Sequence, residues 1–405
     1  MVGVRQVAGR LLRALPEHVA FRLAPGRLGY TSEDIPAPLT VAGERARFLV
    51  APANFAAQGY EWARSAETLS GVGAFNLEVS GTADYQFASD GRVSAVVFER
   101  SRTWARAHAA AVREQVTHIL IEAERPVLGM TVGRDPLREA LWLDRAGVQR
   151  GYVSHGSDLR MPRAHADRDP WSPFRDVDPE TLAVQEELVA ANGRFLREQQ
   201  RPVFVSTPDL LVDFPDATWL PVVVDGAQWA STSAVLERAR PIVVHSPTSA
   251  TLKGSHLIEE TLRRLHEREI IDYRFVNGVA HGEMPALYDD ADIVLEQFRL
   301  GSYGRTAIEA MAAGRVVIGH VSSAVRSVVS RATGRDLPLL QATPDTLEEL
   351  LLDTLADRDN ARAHAAAGPD FVSHAHGRAS AARVLAPFLG VAAESSQAVN
   401  ATMGG

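Results

Sequence analysis

The stretch that decides the fold, residues 276–318, reads VNGVAHGEMPALYDDADIVLEQFRLGSYGRTAIEAMAAGRVVI. Ala291–Glu296 and Val316–His320 are apolar runs of the length of buried strands. Between them, a loop with two glycines over 301–304 precedes a helical pattern over Thr306–Ala313. Strands that alternate with helices predict a mostly parallel sheet that is covered on both faces.

The same alternation extends along most of the chain. The predicted strands are 47–52, 93–99, 118–122, 151–155, 203–207, 241–245, 270–276, 291–296 and 316–320. The predicted helices are 59–69, 179–199, 255–266, 284–289, 306–313, 343–355 and 377–389. The pattern restarts after about residue 225, which predicts an α/β protein with two Rossmann-like βαβ domains that face each other across a cleft.

The predicted boundaries divide the chain into four parts. Residues 1–43 form a basic amphipathic segment, and 44–225 form a first Rossmann-like domain that the helix at 377–390 completes. Residues 226–376 form the second domain, and 391–405 are expected to be disordered.

Composition excludes several classes of protein. The chain has 405 residues, 46% of them hydrophobic, and a formal charge of −8, which argues against a dedicated nucleic-acid binder. It contains no Cys, so disulfides and thiol catalysis are excluded. No run of 18 apolar residues and no signal peptide are found, which predicts a cytoplasmic protein.

Residues 1–30 carry five Arg and one acidic residue, Glu17. Over Val4–Leu15 the apolar residues fall on one helical face. Such a helix packs on its own domain, or it lies on an anionic membrane surface at the cytoplasmic face. The sequence leaves both alternatives open.

Lys253 is the only lysine among 42 basic residues. The composition favours Arg wherever either residue will do, so a surviving Lys indicates a site that needs a compact ammonium group. The alternative is a chance survivor.

Three other short patterns are set aside. Gly71-Val-Gly73 lacks the later glycine of a dinucleotide fingerprint. His374-Ala-His376 lacks a third metal ligand, and Asp290-Ala-Asp292 stands at the start of a strand rather than at its ligand-bearing end. No metal site is predicted.

The loop 301–304 and the helix after it form the strongest candidate site. Amides in such a loop, with a helix N-terminus behind them, suit phosphate oxygens. One turn into the helix, the Glu309 carboxylate can accept hydrogen bonds from a ribose diol.

This run, with its Gly-x-Tyr-Gly and Ile-Glu-Ala-Met-Ala-x-Gly, resembles the donor-binding half of GT-B glycosyltransferases of the retaining family 4 type. In that family two Glu residues stand eight positions apart. Glu309 matches the second, which holds the donor ribose, whereas Gly301 replaces the first, which contacts the sugar. Lys253 matches the family's diphosphate-neutralising Lys, while Pro247 stands where the family has an Arg.

The resemblance implies a set of site residues. The implied catalytic residues are Lys253, His155 and Glu309. The implied donor-binding residues are Gly59, His245, Ser246, Gly254, Val276, Gly278, Val279, Gly301, Ser302, Tyr303, Gly304, Arg305 and Glu309. Asp158, Arg160, Glu296 and Gln297 are candidate sugar or acceptor contacts, and residues 161–176 are expected to form a loop that faces the acceptor.

The resemblance implies a metal-independent glycosyltransferase that retains the anomeric configuration. Its co-substrate is a nucleoside-diphosphate sugar, its acceptor is a saccharide, a lipid-linked saccharide or a small molecule, and it needs no resident cofactor. Residues 44–225 then bind the acceptor and 226–376 the donor. Two alternatives stay open: a non-catalytic nucleotide-sugar-binding regulator or partner subunit, and a GT-B nucleotide-sugar epimerase.

Overall fold

The computed structural model describes residues 15–24, 26–81 and 87–393. Most of the predicted helix over Val4–Leu15 and most of the tail 391–405 lie outside these ranges. A short helix, α1 (Glu17–Leu23), lies in the same N-terminal segment, beyond the predicted one. Glu17 accepts hydrogen bonds from Ser101 Oγ at 2.9 Å and from the Thr103 amide at 3.0 Å, so tertiary contacts hold this helix.

The first sheet of the described chain has seven strands. They are β1 (Ala46–Ala51), β2 (Val72–Ser80), β3 (Gly91–Ser94), β4 (His118–Glu122), β5 (Gln149–Ser154), β6 (Val203–Val205) and β7 (Thr218–Trp219). Their order is β3-β2-β1-β4-β5-β6-β7, which begins with the Rossmann arrangement. The helices of this half after α1 are α2 (Gln58–Ala66), α3 (Ala95–Arg100), α4 (Arg102–Gln115), α5 (Pro136–Arg145), α6 (Pro162–Arg168), α7 (Pro179–Gln199) and α8 (Leu210–Asp213).

The second sheet is parallel throughout and has the order β12-β11-β10-β8-β9. Its strands are β8 (Ile242–His245), β9 (Asp272–Phe275), β10 (Ile293–Leu295), β11 (Val316–Gly319) and β12 (Leu340–Gln341). The helices from residue 226 onward are α9 (Gly226–Trp229), α10 (Ala250–Lys253), α11 (Ser255–Glu267), α12 (Met284–Asp290), α13 (Arg305–Ala312), α14 (Ser323–Thr333), α15 (Leu347–Ala356), α16 (Arg358–His376) and α17 (Arg378–Leu389). Across the described ranges, none of the helices has both the length and the apolar character needed to cross a bilayer.

Both faces of the second sheet are buried, because successive residues of a strand point to opposite sides. On one face, Val244 and Val294 pack with apolar residues of α13, α14 and α16. On the other, Val243 and Ile293 pack with residues of α11 and α15. The continuous apolar runs of these strands follow from this double burial.

Contacts divide the chain into two units. The first contains residues 1–154, 200–204 and 382–405, and the second contains 155–199 and 205–381. In the first unit, the Phe388 ring from α17 meets the rings of Phe48, His118 and Phe204. The division by contacts assigns residues 155–199 to the second unit. The boundary predicted near residue 225 instead separates the two sheets. The predicted domains therefore stay a prediction.

One prediction of secondary structure is wrong, and one strand has no counterpart among the predicted ones. The run 93–99 is not one strand, because Ser94 ends β3 and caps α3 by accepting the Val97 amide at 3.3 Å. The stretch after Gly71 is a strand, β2, that the sequence did not indicate. A Cβ at Gly73 would lie 1.2 Å from the Ala42 carbonyl oxygen, so this glycine serves a close backbone approach.

Candidate functional site

Lys253 and Glu296 form an ion pair at the carboxyl end of the second sheet. Lys253 is the last residue of α10, and Gly254 follows it with a φ of +77°, which lets the chain turn directly into α11. Glu296 follows β10 and its side chain is 1% exposed. Its Oε1 meets the ammonium group of Lys253, while its Oε2 has no hydrogen-bond partner among the described residues.

Residues 301–304, which we call the glycine loop, pass beside this pair. A Cβ at Gly304 would lie 3.5 Å from Glu296 Oε1 and 3.9 Å from Lys253 Nζ, so little space separates the backbone from the pair. Gly304 is also the N-cap of α13. The first amides of a helix have no acceptor within it, so the N-terminus of α13 provides donors close to the ammonium group.

Two side chains shape the glycine loop from inside. Gln297 Oε1 accepts the amides of Arg299 at 2.9 Å and Leu300 at 2.6 Å, and its Nε2 donates to the His320 carbonyl at 3.0 Å. Tyr303 is buried, which raises its pKa, and its hydroxyl lies 3.0 Å from His376 Nε2. The side chains of Gln297 and Tyr303 therefore support the loop. In this geometry their polar groups bond within the protein rather than facing a ligand. The buried Ser302 contributes its carbonyl, which accepts from the Gln297 amide.

Glu309 lies in a second polar cluster, one turn into α13. Its Oε1 accepts from Arg305 Nε and lies 3.1 Å from His281 Nε2. The Glu309 residue is 4% exposed, so its carboxylate is held in place. Below it, Ser246 Oγ lies 3.3 Å from the hydroxyl of the buried Tyr288.

The loop after β9 is the open part of this region. Val276 packs against the core and donates its amide to the His245 carbonyl at 2.9 Å. Gly278 has a φ of +74° with nothing within 4 Å of a built Cβ, and Val279 is 37% exposed. This loop offers backbone groups and space.

Both ring nitrogens of His245 lie within hydrogen-bond distance of other residues. Its Nδ1 lies 3.1 Å from the Leu295 carbonyl oxygen and its Nε2 lies 2.8 Å from Ser255 Oγ. Burial lowers the pKa of His245 to about 4, so the ring is neutral. Both ring nitrogens join the ends of β8, β10 and α11, which explains the residue by packing, and the donor contact predicted at His245 stays a prediction.

His155, Asp158 and Arg160 lie in the loop after β5. The His155 amide donates to Asp158 Oδ2 at 2.8 Å. Arg160 Nε donates to Asp209 Oδ2 at 2.7 Å, and both side chains are buried. Burial alone would raise the pKa of Asp209, but Arg160 outweighs it and lowers that pKa. Arg160 is therefore committed to a buried ion pair.

Gly59 lies in the first unit, where the neighbouring side chains leave no room for a Cβ atom. A Cβ there would lie 2.5 Å from Asn76 Nδ2 and 3.0 Å from Glu122 Oε2. The same Glu122 oxygen accepts the amides of Ala53 at 3.0 Å and Asn54 at 2.9 Å. The glycine leaves room for this buried polar group.

Residues 162–176, which we call the strap, are helical rather than a loop, since they contain α6 and a 3₁₀ turn over Pro173–Asp176. The strap bonds to the segment around the glycine loop. Arg299 donates to the carbonyls of Trp171 and Ser172, each at 2.9 Å, and also pairs with Asp176. His165 Nε2 lies 3.2 Å from the Leu300 carbonyl oxygen.

A third link of the strap joins Asp169 Oδ2 to His320 Nε2 at 2.7 Å. Sequence reasoning missed Asp169, His320 and Arg299. Only His320 gave a signal, because it follows β11 at the carboxyl end of a parallel sheet, where such sheets bind ligands. Within the described ranges, no group of three or more His, Asp or Glu is arranged to hold a metal ion.

Comparison with solved structures returns proteins of one architecture. A sucrose-phosphate synthase from Thermosynechococcus elongatus matches with a TM-score of 0.53 at 14% identity, over 84% of this chain and 97% of its own. HepE from Anabaena in complex with UDP-glucose matches with a TM-score of 0.53 at 12% identity, over 85% and 98%. A glycosyltransferase from Rickettsia africae gives 0.52 at 12%, over 84% and 97%. The chain has the GT-B fold.

The GT-B fold and the resemblance to GT-B glycosyltransferases, both predicted from the sequence, are confirmed. No protein-family model matches the sequence, and no curated protein matches it significantly. At these identities the similarity establishes the fold alone. In the site of this chain, Glu296 and His320 directly follow β10 and β11, and Lys253 ends the helix that comes after β8.

Proposed function

We propose that this protein is a glycosyltransferase that moves a sugar from a nucleoside diphosphate to an acceptor hydroxyl. The observation that carries the proposal is the position of Lys253, the only lysine, beside Gly304 at the N-terminus of α13. An ammonium group and helix amides that converge on one spot suit a diphosphate. The GT-B fold supports the same reading.

In the proposed reaction, the bond between the anomeric carbon and the diphosphate oxygen breaks and its electron pair leaves with the diphosphate. The acceptor oxygen bonds to the anomeric carbon from the same face, and its proton passes to the departing phosphate oxygen, so the configuration is retained. Lys253 and the amides of the glycine loop stabilise the developing negative charge. Loss of one such contact costs about 3–4 kcal/mol of transition-state stabilisation.

Glu296 has a part in this proposal as well. Without donor, it neutralises Lys253 and keeps the ammonium group at the loop. A diphosphate carries more charge than one carboxylate, so it competes successfully for the same ammonium group. Glu309, held by Arg305 and His281, accepts hydrogen bonds from the ribose, and the loop from Val276 to Val279 surrounds the base.

The acceptor in this proposal is a saccharide, a lipid-linked saccharide or a small molecule. Residues 226–376 bind the donor and 44–225 the acceptor, with His155 near the transferred sugar. We further propose a metal-independent, cytoplasmic enzyme. Attachment of residues 1–30 to an anionic membrane surface is one of two alternatives for this segment, and packing on its own domain is the other. Vesicle binding that is unchanged after removal of residues 1–30 would contradict this attachment.

The first test is a thermal-shift panel with UDP, GDP, ADP and TDP, each with and without Mg²⁺. A ligand at a hundred times its dissociation constant stabilises the folded protein by about 2.7 kcal/mol. We expect one nucleotide to raise the melting temperature regardless of Mg²⁺. The HepE structure contains UDP-glucose, so UDP is the first to try. No shift with any nucleotide would contradict the proposal.

Transfer itself is tested next with the sugar ester of that nucleotide and a panel of saccharide and lipid-linked acceptors. Nucleotide release that depends on acceptor supports a transferase. Release without acceptor, together with an epimerised sugar, would instead identify an epimerase. Binding without release under any condition would identify a regulator or a partner subunit.

A further inference from the structure

The space that a side chain at position 301 would occupy is filled by a carboxylate from the strap. Gly301 has a φ of +59°. A Cβ built on it would lie 3.0 Å from Asp169 Oδ2 and 3.7 Å from His320 Nε2. The glycine loop therefore presents backbone at this point, and Asp169 supplies the charged group.

Hydrogen bonds around His320 determine which ring nitrogen faces Asp169. The Val321 amide donates to Gln341 Oε1 at 2.7 Å, which turns the Gln341 nitrogen toward His320 Nδ1 at 3.0 Å. His320 Nδ1 must then accept, so the proton of a neutral ring is on Nε2, the atom that faces Asp169. This arrangement makes His320 Nε2 the donor and Asp169 Oδ2 the acceptor.

Asp169 keeps capacity for a further hydrogen bond. Burial would raise its pKa, but the bonds from His320 and from the Trp171 amide, at 2.9 Å, outweigh burial and lower the pKa. An ionised carboxylate has about four acceptor positions. The Asp169 side chain is 11% exposed, so it is not sealed in the core.

The order of the polar groups along the chain matches the order of the parts of a nucleotide sugar. In sequence, Glu309 lies one turn into α13, Gly304 beside Lys253 is the N-cap of that helix, and Gly301 beside Asp169 begins the glycine loop. If ribose lies at Glu309 and the diphosphate at Lys253, as the proposed function has it, then the sugar beyond the diphosphate lies toward Asp169.

We propose that Asp169, oriented by His320, accepts a hydrogen bond from one hydroxyl group of the transferred sugar. This inference rests on the proposed function. A site built to pair with a hydroxyl discriminates strongly against the analogue that lacks it, because its buried polar group is then left unpaired. Asp169 thereby determines which sugars are accepted.

The test compares kcat/KM for UDP-glucose, or the glucose ester of whichever nucleotide gives the thermal shift, with its 2-, 3-, 4- and 6-deoxy analogues. We expect the wild-type protein to disfavour one analogue by about 10- to 100-fold. Asp169→Asn should lower kcat/KM for the parent donor by a similar factor and leave that one analogue nearly unchanged. Discrimination among the other three should stay as in wild type.

Asp176→Asn is the matched control, because Asp176 is a second strap carboxylate that pairs with Arg299 rather than lying beside Gly301. This substitution loosens the strap, so it should lower kcat/KM for all five donors by one common factor. His320→Gln is the second variant should Asp169→Asn fold poorly. This variant no longer orients Asp169, so it should reduce the preference for the parent donor over the same one deoxy analogue.

The inference would be overturned if Asp169→Asn lowered kcat/KM equally for all five donors, or for none of them. Nucleotide affinity separates this failure from a failure of the proposed function. A wild-type protein that binds the nucleotide and transfers sugar, while Asp169→Asn leaves the discrimination intact, contradicts the inference alone. A wild-type protein that binds no nucleotide contradicts both.

Discussion

The only ammonium side chain of the protein, that of Lys253, forms an ion pair with Glu296, whose carboxylate is buried at the end of β10. The two residues are 43 positions apart in the sequence. The pair joins the end of α10 to the central strand of the second sheet. It also concentrates opposite charges beside Gly304, where the backbone leaves little room.

Removal of the lysine should destabilise the protein. Lys253→Ala leaves the buried Glu296 carboxylate without its cation, and breaking a buried pair in this way costs about 3 kcal/mol. Urea denaturation at pH 7 measures the loss. The double variant Lys253→Ala with Glu296→Gln should recover most of it, and equal instability of the single and double variants would contradict this account.

Lys253→Arg should separate stability from transfer. The guanidinium group keeps the positive charge and thus the partner of Glu296, so the melting temperature should change little. Its planar, larger head places the charge differently, so kcat should fall at least about tenfold. Arg263→Lys, at an exposed position of α11, is the control and should leave transfer unchanged. Full activity in Lys253→Arg would show that a compact ammonium group is not required.

Glu309 should distinguish a ribonucleotide from its 2′-deoxy form. The wild-type protein should bind the active nucleoside diphosphate about tenfold more tightly than the 2′-deoxy analogue, since hydrogen bonds to a charged group are strong. Glu309→Gln should remove most of this ratio in isothermal titration. A ratio that stays the same in the variant would mean that Glu309 does not contact the ribose.

His245 should make the protein less stable in mild acid. The pKa of the buried ring is lowered to about 4, against 6.5 in the unfolded chain, so the unfolded state binds the proton first as the pH falls. Its contribution is intact above pH 6.5 and declines toward pH 4, by about 3 kcal/mol in all. Denaturation of wild type and His245→Asn across this range measures it, and parallel curves would contradict the assignment.

Gly301→Ala should be destabilising for two reasons that a control can separate. The left-handed φ of +59° costs a residue with a Cβ about 1–2 kcal/mol. The new Cβ would also crowd Asp169 Oδ2 at 3.0 Å. Gly334→Ala has a φ of +67° but nothing within 4 Å of its Cβ, so it carries the strain alone. Gly301→Ala should therefore be the more destabilising of the two in thermal denaturation.

The buried strands and the well-capped helices could be predicted from the sequence. The run Val316–His320 corresponds to β11 over Val316–Gly319, because both of its faces are apolar. The helix predicted over 179–199 matches α7, because Asp178 caps it by accepting the Thr181 amide at 2.9 Å. By contrast, β2 includes the polar Asn76 and Glu78 and is only partly buried, so it lacks a clear pattern.

The candidate site could be predicted only where its residues are neighbours in sequence. The glycine loop and Glu309 belong to one short motif, and Lys253 stands out by composition. Asp169 and His320 meet through the fold and have no common motif, so no spacing rule could have paired them. At His245 a polar residue at a strand end suggests a ligand contact, and the sequence does not show that its ring nitrogens lie within hydrogen-bond distance of Leu295 and Ser255.

The hydrogen bonds of Arg299 limit how the substrate specificity of the protein can be engineered. Its guanidinium group is bonded to the carbonyls of Trp171 and Ser172, so the strap and the segment before the glycine loop behave as one piece. An exchange of residues 162–176 between related proteins would break these bonds unless 297–301 and His320 were exchanged with them. If Asp169 selects the sugar as proposed, these three segments determine specificity together, and libraries that vary one of them alone will mostly sample misfitted combinations.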